Sequence, residues 1–150
     1  MEQKIADIAL NHFKSGYNCA ESVLLAFMET FDIKCKMAPR MASGFGGGIS
    51  RTDHICGAFS GAVIALGLLS GRDKPDEDRE KIYSKVSELE KRFSEEFGTI
   101  ECTDLLGFDI STHEGHTAAK EAGVFQTKCS VFVQRSAEII SDIASRSTDN

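Results

Sequence analysis

Several features that are common in other protein classes are missing from this sequence. It has no tryptophan and only two prolines among 150 residues, which predicts few rigid loops. Its net charge of −6, without any cluster of lysines and arginines, argues against nucleic acid as a partner, because phosphate binding needs a cationic face. None of its five cysteines belongs to a C-x-x-C pair, so the usual zinc-site and thioredoxin patterns are absent.

Export signals and membrane spans are not evident either. The amino terminus, MEQKIADIAL, is charged from its second residue and has no apolar signal-peptide core, so we expect a cytoplasmic protein. Residues 55–71 form the longest uncharged stretch, but its 17 residues fall short of the roughly 20 apolar residues that a membrane span needs. This stretch therefore predicts a buried helix. An odd number of cysteines without an export signal also indicates a reducing compartment, where structural disulfides are rare.

Apolar residues recur at helical spacing along the chain, and no segment shows the sustained alternation of a strand. Asn18 is typical of a helix cap, the acidic residues after Pro75 favour a helix start, and Gly98 favours a helix end. We expect one all-α domain over residues 1–150, a bundle of about five or six helices around a buried central helix. The helices predicted most clearly cover residues 3–14, 19–31, 54–70, 76–97 and 128–145.

Four of the five cysteines fall in the first turn of a predicted helix. Each follows a capping residue type: Asn18 precedes Cys19, Thr52 and Asp53 precede Cys56, Thr99 precedes Cys102, and Thr127 precedes Cys129. Free N–H groups and the helix dipole favour an anion there, and such placement lowers a thiol pKa from about 8.5 to roughly 3.5–7.5. The pattern predicts four reactive thiolates, which a bundle could bring together if these helix starts meet. The alternative is that the cysteines are inert buried side chains.

The remaining cysteine and the glycines around Cys56 have simpler interpretations. Cys35 lies between two lysines in a predicted loop, and we treat it as an incidental thiol. Gly57, Gly61 and Ala65 form a stripe of small residues along the central helix. This stripe is compatible with tight helix packing, with a homodimer, or with a gap that keeps Cys56 reachable.

A run of glycines, SGFGGGISR at residues 43–51, resembles a phosphate loop but lacks both the Walker ending and the G-x-G-x-x-G spacing. We interpret it as a turn whose bare N–H groups lie close to Cys56 and stabilise a sulfur anion or a cluster sulfide, with a plain loop as the alternative. The candidate cofactor-binding glycines are Gly46, Gly47, Gly48 and Gly57.

Three histidines are candidate ligands or bases. His54 lies two residues before Cys56, and His113 and His116 share one helical face. Without a third ligand, the pair is better explained as a solvated helix start, and His54 as a surface residue of a loop. No arrangement typical of Ser-His-Asp catalysis is present.

Five segments of the chain carry a family resemblance: GYNCAESVL, FGGG, CGAFSG, FGTIECTDLLG and KCSVFV. In this order, with the Cys-Gly-Ala-x-x-Gly motif at residues 56–61, they resemble the C_GCAxxG_C_C family of redox-active proteins. The resemblance implies a redox role for Cys19, Cys56, Cys102 and Cys129. Related domains in larger redox proteins imply that an iron–sulfur cluster is compatible with such a site.

Three functions follow as hypotheses. In the first, the protein is a thiol redox protein, and an oxidoreductase if it turns over a substrate: Cys56 attacks a disulfide or a peroxide, from a small molecule or a redox partner, and a second cysteine resolves the mixed intermediate. In the second, the same four cysteines bind an iron–sulfur cluster or zinc in an electron-transfer module. In the third, the cysteines only pack. The residues alone do not separate the first two hypotheses.

Overall fold

The computed structural model describes residues 2–148, and this part of the chain is helical without any strand. It contains eight helices, more than the five or six predicted, together with a 3₁₀ segment and a π-helical turn. The helices are α1 (Glu2–Lys14), α2 (Cys19–Thr30), α3 (Gly46–Arg51), α4 (Gly57–Ser70), α5 (Glu80–Phe97), α6 (Cys102–Leu106), α7 (His113–Glu121) and α8 (Ser130–Thr148). The 3₁₀ segment is Arg40–Phe45 and the π turn is Phe125–Cys129. The additional helices are α3, α6 and α7, and each is short and lies between two of the longer helices.

Helix α4 lies at the centre, as predicted, and packs against α2, α5 and α8. Gly61 faces the backbone of α2 so closely that an added Cβ would lie 2.8 Å from Cα of Ala20. The small-residue stripe therefore serves helix packing at this position. No helix among residues 2–148 is long and apolar enough to cross a membrane.

The predicted helix boundaries hold at Asn18 and at Gly98. Asn18 and Glu21 form a reciprocal capping box at the start of α2, and Gly98 ends α5 with a left-handed φ of 84°. Helix α5 begins at Glu80 and not at residue 76. The reason is local: the side chain of Asp78 accepts a hydrogen bond from the N–H of Glu80, while Glu77 accepts one from the N–H of Asp73 in the preceding turn.

The contact between α5 and α8 combines aromatic packing with surface ion pairs. The ring of Phe93 lies 4.8 Å from that of Phe97 and 5.7 Å from that of Phe59 on α4, with Phe132 of α8 completing the cluster. Outside this cluster Nη1 of Arg92 lies 2.7 Å from Oδ2 of Asp142, and the other ion pairs across the contact join Arg135 to Glu96 and Arg146 to Glu88.

Candidate four-cysteine site

Four cysteines from four separate elements line one cavity of about 500 Å³. Cys19 comes from α2, Cys56 immediately precedes α4, Cys102 opens α6, and Cys129 ends the π turn. Cys35 lies outside this cavity, in agreement with its interpretation as an incidental thiol. The fold thus brings together the four cysteines that sequence analysis singled out, although their gaps in the chain gave no information about their distances.

A short antiparallel bridge between Ile55 and Glu101 joins the two segments that carry Cys56 and Cys102. The N–H of Cys56 donates to the carbonyl of Ile100 at 2.7 Å, and the N–H of Cys102 donates to the carbonyl of His54 at 2.9 Å. These backbone bonds fix the starts of α4 and α6 relative to each other. They therefore fix the positions of two thiols without using any side chain.

Cys19 is positioned by the cap of its own helix. The side chain of Asn18 caps α2 and also donates to the carbonyl of Ser43 at 3.0 Å, while the hydroxyl of Ser43 donates to Glu21 at 2.9 Å. The two residues of the capping box therefore hold Ser43, the first residue of the glycine run, next to Cys19 through hydrogen bonds. Gly46 is required here, since an added Cβ would lie 2.6 Å from Cγ of Asn18.

The glycine run continues as a left-handed turn, α3. Five successive residues, 47–51, have positive φ, from 71° at Gly47 to 62° at Arg51. The N–H of Gly47 points to the sulfur of Cys19, and Gly48 packs behind Cys102, where an added Cβ would lie 2.7 Å from the cysteine Cβ. The prediction places the run close to Cys56, and Gly46 and Gly47 do line the same cavity as Cys56; the run also contacts Cys19 and Cys102.

Of the four predicted cofactor-binding glycines, three line the cavity, and Gly48 supports Cys102 from behind. Gly57 lets the sulfur of Cys19 approach the start of α4. An added Cβ at Gly57 would overlap this sulfur and lie 2.8 Å from the carbonyl oxygen of Phe45. The glycines therefore provide room for sulfur and for backbone, while their role toward a cofactor stays a prediction.

Burial raises the pKa of all four thiols in the cavity. The pKa of Cys102 rises to about 12, with the neighbouring Cys19 as a second cause, and the pKa values of Cys56 and Cys129 rise for the same two reasons. For Cys19 the N–H groups of Gly47 and Ala20 oppose the rise in pKa without cancelling it. The predicted lowering of the thiol pKa values is therefore wrong, because desolvation of the charged form outweighs the helix ends.

The helix-start assignment itself holds for three cysteines. Cys19 and Cys102 are the first residues of α2 and α6, and Cys56 occupies the cap position of α4. Cys129 does not lie at a free helix end, because the π turn continues directly into α8. Thr127 is not its cap, since its hydroxyl donates back to the carbonyl of Gly123 inside the turn.

All five cysteines are free thiols. Within residues 2–148, no three His, Cys, Asp or Glu side chains are already arranged around a point where one metal ion would bind. Disulfide pairing and metal binding by these cysteines both stay predictions.

The cavity also contains basic side chains that the sequence did not assign to a site. His54 and His113 are exposed, as expected, but His116 is half-buried, lines the cavity and lies 5.5 Å from the ring of Phe125. The interpretation of both residues in the HEGH segment as solvated is therefore wrong for His116. Arg51 lines the same cavity. Its position directly after the glycine run was the signal that could have identified it.

Comparison with known proteins identifies the family. One curated relative, from Archaeoglobus fulgidus and described as an uncharacterized protein, is 34% identical over 97 residues, which cover 59% of this chain and 64% of the relative's length. No solved structure matches the chain. The family described as "Putative redox-active protein (C_GCAxxG_C_C)" matches residues 17–143, a span that contains all four cavity cysteines. The chain therefore belongs to the C_GCAxxG_C_C family.

Proposed function

We propose that the four-cysteine cavity is the redox centre of this protein and that it holds an iron–sulfur cluster as an electron-transfer module. The observation that carries this proposal is the convergence of Cys19, Cys56, Cys102 and Cys129 on one cavity from four separate elements. Four cysteine thiolates are the usual ligand set of both [2Fe–2S] and [4Fe–4S] clusters. Such a cluster supplies reversible one-electron transfer.

The charge balance of the cavity supports a cationic occupant. Burial raises the pKa of each thiol, and repulsion from Cys19 adds to the rise at Cys56, Cys102 and Cys129, so the sulfurs are neutral at pH 7 unless positive charge is brought to them. Iron ions bring that charge, and thiols that bind them are deprotonated. The raised pKa of Cys56 also argues against the first hypothesis, in which Cys56 attacks as a free thiolate.

The size and polarity of the cavity support a cluster over zinc. A zinc ion needs its sulfurs about 2.3 Å from one point, whereas a volume of about 500 Å³ has room for several iron and sulfide atoms. The N–H of Gly47 points to the sulfur of Cys19. Such N–H groups hydrogen-bond ligand sulfurs and tune the reduction potential. The residues that would hold the cluster are thus the four cysteines, with the glycine run beside them.

Thiol–disulfide exchange is the second candidate, and the surroundings of Cys19 favour it. Its sulfur is approached by the N–H groups of Gly47, Ala20 and Ala58, which stabilise a thiolate. In this mechanism the Cys19 thiolate bonds to one sulfur of a substrate disulfide and the other sulfur leaves as a thiolate. A second cavity cysteine then displaces the bound sulfur, so the protein is oxidised and the substrate is reduced.

The first experiment is iron and sulfide analysis, with an absorption spectrum, of protein purified without oxygen. We expect stoichiometric iron and sulfide in the wild type. Cys19→Ser, Cys56→Ser, Cys102→Ser and Cys129→Ser should each lose most of the iron, because each removes one ligand. Cys35→Ser is the matched control and should retain all of it, since Cys35 lies outside the cavity.

Far-UV circular dichroism of each variant separates ligand loss from unfolding. Retention of full iron by the four cavity variants, or a wild type without iron and sulfide after anaerobic reconstitution, would contradict the cluster. In the latter case, a reversible mass loss of two hydrogens on mild oxidation, abolished by Cys19→Ser and not by Cys35→Ser, would support disulfide exchange.

A further inference from the structure

The mouth of the four-cysteine cavity is basic, although the protein as a whole carries a net charge of −6. Arg51 and His116 line the cavity, and His113 and Lys120 of α7 lie close enough to act electrostatically on His116. We call these four residues the basic rim. Arg51 is exposed while Cys56 and Cys102 are buried, so the rim lies where the cavity reaches the surface and the thiols lie deeper.

The backbone places Arg51 at the mouth at an energetic cost. Ile49, Ser50 and Arg51 all have positive φ, between 54° and 62°, where each non-glycine residue costs roughly 1–2 kcal/mol. Strain of this kind persists at functional sites, where the surrounding structure enforces it. The strained turn at residues 49–51 places Arg51 at the end of the glycine run, beside the cavity.

Arg51 carries a positive charge at the mouth, and the described part of the protein pairs neither Arg51 nor His116 with an acidic side chain. Among the described side chains, no carboxylate forms an ion pair with Arg51 or His116. Asp53 and Glu101 are acidic residues at the site, and both act electrostatically on Cys102. The neighbours that act on His116 are all basic, and together with burial they lower its pKa. An incoming anion would oppose this lowering and favour the protonated, charged form of His116.

The walls between the rim and the thiols are mainly apolar. Phenylalanine, leucine and isoleucine side chains supply them: Phe13, Leu105, Leu106, Ile110, Phe125 and Phe132. The ring of Phe125 lies 5.5 Å from that of His116, so an apolar surface begins directly beside the basic rim. A ligand that suits this cavity has one charged end and an apolar body.

We propose that the cavity binds a small organic carboxylate, with its carboxylate at Arg51 and His116 and its apolar body along Phe125 toward the cysteines. Arginine pairs with carboxylates through two parallel N–H donors, which gives the bound anion a fixed orientation. The proposal names a substrate class for the redox centre and in that respect rests on the proposed function. It assigns to Arg51 the main part in binding.

Isothermal titration of the full chain with phenylacetate tests this proposal. The neutral amide, phenylacetamide, has the same body without the charge. We expect saturable binding of phenylacetate and at least tenfold weaker binding of the amide. Arg51→Gln should weaken phenylacetate binding about tenfold, whereas Arg40→Gln should leave it unchanged, because Arg40 is an exposed arginine outside the cavity.

Equal binding of the acid and the amide, equal binding by wild type and Arg51→Gln, or no saturable binding by the wild type would each overturn the carboxylate site. Iron analysis of the same samples keeps the two proposals apart. A protein that retains iron but does not bind phenylacetate refutes only the carboxylate site. Binding by a protein that never holds iron supports the carboxylate site and refutes the cluster.

Discussion

The α5–α8 contact and the four-cysteine site are built from different kinds of backbone structure. The first joins helices of 18 and 19 residues through tilted and edge-to-face phenylalanine rings and through surface ion pairs, in regular backbone. The second is assembled from a left-handed turn, a five-residue helix, a π turn and an isolated bridge. In this chain the irregular segments bring Cys102 and Cys129 to the same cavity as Cys19 and Cys56, which lie at the starts of the regular helices α2 and α4.

This contrast separates stability from chemistry. Phe93 is fully buried in the aromatic cluster, where apolar burial is the main source of folding free energy. At the cavity, burial instead raises the pKa of the thiols, and the turn next to Cys19 carries backbone strain. We expect substitutions in the first region to change stability most, and substitutions in the second to change cofactor binding at a smaller cost in stability.

Phe93→Ala should produce the largest effect on stability, a loss of about 3–5 kcal/mol in the free energy of unfolding. The substitution removes a fully buried ring and leaves a cavity among Phe59, Phe97 and Phe132. Urea denaturation followed by circular dichroism measures the loss. Phe93→Leu is the conservative control and should cost less, while a loss below about 1 kcal/mol for the alanine variant would show that the contact is not the stabilising region.

Gly48→Ala should have an intermediate effect on stability, about 1–3 kcal/mol, and a large one on iron retention. Gly48 has a φ of 71°, and an added Cβ would lie 2.7 Å from Cβ of Cys102 and 2.9 Å from the carbonyl oxygen of His54. The new methyl group must displace Cys102 from its position in the cavity. Denaturation and iron analysis of one preparation measure both effects.

Gly67→Ala is the matched control for Gly48→Ala, because the space that the new methyl group needs is free at residue 67. Gly67 lies inside α4, and nothing lies within 4 Å of the position of its Cβ. Alanine should therefore stabilise the helix by up to about 1 kcal/mol and leave iron retention unchanged. If both variants lost iron equally, the specific role of Gly48 behind Cys102 would be refuted.

The metal-free reduced protein should lose stability as the pH rises above about 9, by on the order of 1 kcal/mol per pH unit for each buried thiol. The pKa of Cys102 in the folded state, about 12, lies above the pKa of the same thiol in the unfolded chain. The stability that the protonated Cys102 thiol contributes is therefore complete below the unfolded pKa and is lost as the pH rises from the unfolded pKa to the folded one. Denaturation at pH 8, 9 and 10 measures the slope. Cys102→Ala should reduce it and Cys35→Ala should not; equal slopes for both variants would contradict the raised pKa.

The parts of this structure that sequence could predict are those fixed by local rules. The cap at Asn18, the end of α5 at Gly98 and the central position of α4 follow from residue type and hydrophobic pattern, and all three were confirmed. The start of α5 was misplaced because Pro75 and the acidic residues after it occupy a turn. The family motifs also identified which four cysteines belong together.

The rest of the site depends on distances between remote segments, which no local pattern encodes. The left-handed φ of Ile49 and Ser50 could not be foreseen, since neither residue type favours it. The raised thiol pKa values depend on burial that exists only in the folded chain. His116 reaches the cavity because α7 packs its ring near Phe125, a tertiary contact that the HEGH segment does not reveal.

The antiparallel bridge between Ile55 and Glu101 has a consequence for the order of folding. It joins segments 46 residues apart in number, and the four cavity cysteines extend from position 19 to position 129. A nascent or partly folded chain therefore possesses thiols but no assembled four-cysteine cavity, because Cys129 arrives with the segment that leads into α8. Occupancy of the cavity would then report on completion of the fold, and by mass action it would stabilise only chains that had finished folding.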